Sequence, residues 1–184
     1  MTIRSFVSKL HALSPLDKLA LMTKYDMSEK EADESLKNSW LIQTKSNAPS
    51  DVLDNLNPTP DDLIECCHFN FLNIGNISLT SDVVTLGHHM EMIGHIHQNV
   101  LLYNKLNGVI YICDYEMDIT NVQKVAVNFS SFLDAFLCYC EYYRWFYIDP
   151  EITMESELDK EKMAIDSVVL TGVLSDDNIF LSIF

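Results

Sequence analysis

The chain has 184 residues, of which 48% are apolar and 21% charged, the make-up of one globular domain with a buried core. Its net charge is −15 and unevenly spread: residues 1–50 hold seven Lys/Arg against six Asp/Glu, residues 51–184 hold five against 21. No apolar run nears the ~20 residues that span a bilayer, and the excess of acid argues against nucleic acid or an anionic membrane as partner.

In chain order, Ile3, Phe6, Val7, Leu10 and Leu13 keep helical spacing. Ser14-Pro15-Leu16-Asp17 restarts a helix with a hydroxyl cap and a proline at the first position. Ser28-Glu29-Lys30-Glu31 is a capping box that predicts a short helix to about Trp40. Gln43 to Pro60, rich in Pro, Ser, Asn and Asp, reads as a connecting loop. Thr59-Pro60-Asp61-Asp62 then caps a helix through about His68, and Ile74 to Leu86 supplies one or two strands.

Ile96 to Tyr103 and Val109 to Tyr115 are β-branched and aromatic runs on either side of Asn104-Lys105-Leu106-Asn107-Gly108. Asn107-Gly108 is a strong hairpin signal, since both residue types tolerate positive φ. Both strands are apolar on both faces, which predicts a central position in a sheet covered on each side. Val122 to Val127 is a third strand, and Asn128 supplies an N-cap for a helix running to Tyr147. On that helix Phe129, Phe132, Phe136, Tyr139, Cys140 and Tyr143 share one face, with Ser130, Asp134, Glu141 and Arg144 opposite, predicted to be wet. Asp149 to Lys162 reads as an acidic loop with a helical turn, and Ser167–Leu174 and Ile179–Phe184 as edge strands or a docked tail. The expected fold is α+β over a single domain, 1–184. Residues 1–50 form its helical N-terminal part, and 61–184 form a largely antiparallel twisted sheet with the last helix packed across it.

Three constellations invite chemistry. His88, His89, His95 and His97 surround Glu91; on a strand His95 and His97 would share a face, a geometry that can hold zinc, with His88 or Glu91 completing the site. Metal sites, however, draw ligands from separate elements with ordered supports, and these residues read equally as loop and edge histidines. Cys138 and Cys140 fall about 200° apart on a helix and cannot share one ion. Cys66-Cys67-His68 sets a thiol beside a base, but adjacent helical side chains do not face each other, so buried structural thiols are expected. Five cysteines, an odd number, form no disulfide framework, which with the charged residues Arg4, Lys9, Asp17 and Lys18 near the N-terminus predicts a cytoplasmic protein without a signal peptide. No cofactor or metal and no catalytic residue is expected.

The segment GVIYICDYEMDITNVQKVAVNFSSFLDAFLCYC resembles the C-terminal part of the SUKH superfamily. There a strand ends in a short acidic stretch, another strand follows, and then a capped helix of the pattern polar-Phe-x-x-Phe-Leu, matched by Asn128, Phe129, Phe132 and Leu133. The resemblance spans about residues 84–144. It implies a non-catalytic immunity-type protein that binds and neutralises a cognate toxin, often a nuclease, or an intracellular interaction scaffold as in eukaryotic relatives. A His-based metallo-hydrolase is the remaining alternative. A basic protein would be steered to the acidic surface. Asp114, Glu116 and Asp118 are the first candidate contacts, the acids of 149–161 a second set, and Tyr142 and Trp145 the candidate aromatic anchors.

Overall fold

The computed structural model describes residues 1–13, 19, 22–23, 26–38, 42–69, 71–87, 89–114, 121–144 and 157–183. Helix α1 (Ile3–Leu13) turns Ile3, Phe6, Val7 and Leu10 into the core. Helix α2 (Glu29–Asn38) begins at the capping box read from sequence: Glu31 N donates to Ser28 Oγ, and Ser28 N donates back to Glu31 Oε2 at 2.8 Å. Between Gln43 and Pro60 the chain is not all loop. It forms the short strand β1 (Gln43–Thr44) and one helical turn, α3 (Ser50–Leu53). Helix α4 (Pro60–Cys66) starts at a full capping box of Thr59 and Asp62 and gives way to β2 (Cys67–His68), which pairs with β1. Cys67 and His68 are thus strand residues, where a helix through His68 was expected. The Ser14–Asp17 helix start lies outside the described residues.

The sheet is a six-stranded antiparallel meander in chain order: β3 (Phe71–Ile74), β4 (Ile77–Thr85), β5 (Met90–Ile96), β6 (Asn99–Asn104), β7 (Ile110–Cys113) and β8 (Gln123–Ala126). The expected hairpin is β6–β7, with Val100 opposite Cys113 and Tyr103 opposite Ile110. Its loop differs from a two-residue turn. Gly108 alone takes a positive φ, 73°, and donates its N–H to Asn104 O at 2.8 Å, closing a five-residue connection. Asn107 instead uses its side chain, accepting from Val109 N at 3.0 Å. Ile96–Tyr103 is also not one strand. Ile96 ends β5, and a tight turn at His97-Gln98, with His97 at φ 54°, leads into β6.

Alternation along β5, β6 and β7 splits the sheet's apolar residues between two clusters. Leu101, Tyr103, Ile110 and Ile112 join the main core, while Met90, Val100, Leu102 and Cys113 form a second cluster. All eight are buried, as the two-faced apolar pattern of these central strands predicts.

Helix α5 (Phe129–Tyr143) is capped by Asn128, whose side chain accepts from Ser131 N at 2.8 Å. Phe129, Phe132, Phe136, Tyr139 and Cys140 are fully buried as expected, but the wet back is not there. Ser130 is buried and Asp134, Glu141 and Arg144 are only half-exposed, because α1 and a further helix, α6 (Glu157–Thr171), pack along that side. A helix carrying Leu133, Ala135 and Leu137 between its aromatics is apolar nearly all round, and such helices are enclosed.

Helix α6 overturns the edge-strand expectation for 167–174. Met163, Ala164, Ser167, Val168 and Thr171 are its buried residues, an i, i+1, i+4, i+5, i+8 stripe of helical period. Beyond it the docked-tail alternative holds. Asn178, 1% exposed, donates to Val125 O and Val173 O and accepts from Phe180 N, covering the outer edge of β8. Phe180 sits in the core with its ring edge-on to Phe132. One hydrophobic cluster therefore includes Ile3 and Ile183, close to the two ends of the chain.

Candidate functional site

Among the sequence-predicted contact residues, Asp114 is exposed at the end of β7. It lines a hollow of about 220 Å³ with Asn99, Cys113, Asn121, Val122 and Gln123. Glu116, Asp118, Trp145 and the acids of 149–156 lie outside the described residues. Tyr142 is 3% exposed, with its ring centroid 6.2 Å from that of Tyr139, so it is a core residue and offers no ring to a partner. The sequence offered Tyr142 as an aromatic anchor, but packing around this part of α5 encloses its ring.

Among the described residues the histidine constellation does not assemble. His89 (φ 62°) precedes β5, His95 lies on β5 and His97 in the turn after it; His88 lies outside the described residues. His95 and His97 line a polar hollow of about 380 Å³ with Asn73, Asn76 and Ser78, a surface without an acid or thiol to complete a metal site. No group of three His, Cys, Asp or Glu side chains able to hold a metal occurs among the described residues. Glu91 is committed elsewhere. Its Oε1 accepts from Lys105 Nζ at 2.8 Å, and Lys105 also reaches Asp61 Oδ2 at 3.1 Å. Glu91 Oε2 is buried without a partner among the described residues. Tyr103, opposite Glu91 on β6, has its hydroxyl pushed up by burial and then by Asp61, Asp62 and Glu91. These contacts pin the hairpin loop to the start of α4.

Four of the five thiols are poor nucleophiles. Burial pushes Cys67 up to about 12 and Cys140 well above its ordinary value, and it raises Cys66 and Cys138 too. A raised thiol holds little thiolate, the attacking form, at neutral pH. Cys67 is buried in strand β2 while its neighbour His68 is exposed, so the two share no chemistry.

A groove that the sequence did not announce runs between α1, α5 and α6, about 680 Å³ in volume. Leu13, Leu137, Val169 and Leu170 supply its apolar lining, and Asp134, Glu141 and Asp166 its acids. Val169 and Leu170 are 58% and 41% exposed, and Ile165, one turn before Val169, is 49% exposed. Reading 167–174 as a strand hid this stripe, because only a helical period places Ile165 and Val169 side by side.

No helix among the described residues is long and apolar enough to cross a membrane. The chain matches no family model, no curated protein and no solved structure.

Proposed function

We propose that this chain is a non-catalytic binding protein of the immunity type, which neutralises a basic, nuclease-like protein toxin by covering it. The observation that carries the reading is charge. A net −16 falls on residues 51–184, and no Lys or Arg occurs between Lys45 and Lys105. On the described surface Asp51, Asp82, Asp114, Glu161, Asp166, Asp176 and Asp177 are exposed. Such a surface accelerates encounter with a cationic partner and rejects anionic ones. The burial of Cys67 and Cys140, which raises both thiols, and the Glu91–Lys105 pair support it further, since they turn these groups to structural use.

Co-expression with a basic toxin encoded beside this chain tests the reading. Restored growth together with a stable stoichiometric complex is the expected result. Rescue with no complex would refute binding as the mechanism, and a complex that leaves the toxin active would favour an interaction scaffold.

A further inference from the structure

A binding protein that relies on acid alone gains on-rate more than affinity, and affinity comes mainly from a few apolar anchors that lose water on binding. Of the two anchors expected from sequence, Tyr142 is buried in the chain's own core and Trp145 lies outside the described residues. We infer that the groove between α1, α5 and α6 receives a basic amphipathic helix of the partner. Its apolar residues would seat on Leu13, Val169 and Leu170, and its Lys or Arg would face Glu141 and Asp166. This rests on the binding reading above and adds to it the surface and the shape of the ligand.

Three observations converge. Ile165, Val169 and Leu170 are large apolar side chains left 49%, 58% and 41% exposed on the outer side of a helix whose other side is buried. A groove of about 680 Å³, open along helices, matches a helix-in-groove contact read by residues at i, i+3, i+4 and i+7. The charge then selects the occupant. Asp134, Glu141 and Asp166 line the groove with Lys9 and the Met1 ammonium, which pairs with Asp134 at 3.4 Å and leaves Glu141 and Asp166 to a ligand; residues 157–183 carry six Asp/Glu against two Lys. A second copy of this acidic chain would meet like charge here, and an anionic surface would be repelled. A cationic helix fits both the lining and its charge.

The probe is a fluorescent synthetic helix about five turns long, with Leu at i, i+3, i+4 and i+7 and Lys elsewhere; a control keeps the Leu face and replaces every Lys by Glu. Anisotropy with the full chain at low salt is expected to show binding of the Lys peptide with Kd on the order of 10 µM and none of the Glu peptide. Val169→Asp should weaken binding about ten-fold and Asp166→Lys several-fold. Both sites are exposed, and an unchanged circular dichroism melt verifies each variant. If the Lys peptide binds wild type and Val169→Asp equally, the groove is not the site, although an acidic surface that captures cations remains. Equal binding of both peptides, no binding of either, or a self-association in sedimentation that Val169→Asp abolishes would each overturn the proposal. Toxin rescue is read separately, so a failed groove and a failed binding function give different results.

Discussion

The hydroxyl of Tyr139 on α5 accepts the backbone N–H of Asn76 at 2.9 Å, joining the long helix to the β3–β4 turn across 63 positions of sequence. The turn is shaped for it. Gly75 takes φ 55°, and a Cβ there would lie 2.2 Å from the Tyr139 oxygen. Tyr139 is 1% exposed but Asn76 is exposed, so loss of the hydroxyl exchanges this bond for one to water. Tyr139→Phe is expected to cost about 0.5–1.5 kcal/mol in chemical denaturation, and Gly75→Ala more than Tyr139→Phe. Equal stability of Tyr139→Phe and wild type would show the bond to be dispensable.

Lys105 and Glu91 form the second long-range tie. The Glu91 side chain is 5% exposed and that of Lys105 45%, so removing the lysine strands a carboxylate that water cannot reach. Lys105→Met is expected to lower the thermal midpoint more than Glu91→Gln, because the amide removes the charge and keeps the shape. The double variant should recover part of the Lys105→Met loss. Additive losses would mean that the two side chains act independently.

His97 holds a left-handed conformation, φ 54°, that most side chains resist. His97→Gly is expected to match or exceed wild-type stability, and His97→Val to fall about 1–2 kcal/mol below His97→Gly. Indistinguishable denaturation curves for the two variants would contradict a strained turn.

The sequence disclosed those parts of the fold whose cause is local. Ser28–Glu31 and Thr59–Asp62 are capping boxes, Asn128 is a cap, and the apolar runs around Asn104–Gly108 are a hairpin, each fixed within a few residues. What it hid depends on distant contacts. Polar residues at Ser130 and Asp134 looked like a solvated back until α1 and α6 packed there. Val168, Val169 and Leu170 looked like a strand because β-branched runs favour strands, yet burial of Met163, Ala164, Ser167 and Thr171 on one side keeps them helical. The candidate site was legible in its charge and illegible in its anchor. Acidity is a property of composition, but the burial of Tyr142 and the exposure of Val169 are set by which helix covers which.

The buried thiols set the alkaline limit. Cys67 moves from its ordinary 9.0 to about 12 in the folded chain, and Cys140 moves in the same direction. The folded state therefore holds protons that the unfolded state releases, and stability falls as pH rises from 9.0 through about 12. Lys105, raised first by its bond to Glu91, adds a loss of the same sign at higher pH. The thermal midpoint is expected to be insensitive to these groups below pH 9 and to drop steadily above it, less steeply in Cys67→Ala. A midpoint that rises above pH 9 would contradict this accounting.

The most direct test of the central claim is the association rate between the purified chain and the basic toxin proposed as its partner, measured in stopped flow as salt is raised. Capture through an acidic surface requires the rate to fall about ten-fold or more between roughly 50 and 500 mM salt. Replacing Asp114, Glu116 and Asp118 together by Lys is expected to slow it further at low salt without lowering the melting temperature. A rate indifferent to both salt and charge reversal, or growth rescue with no measurable association, would contradict the account.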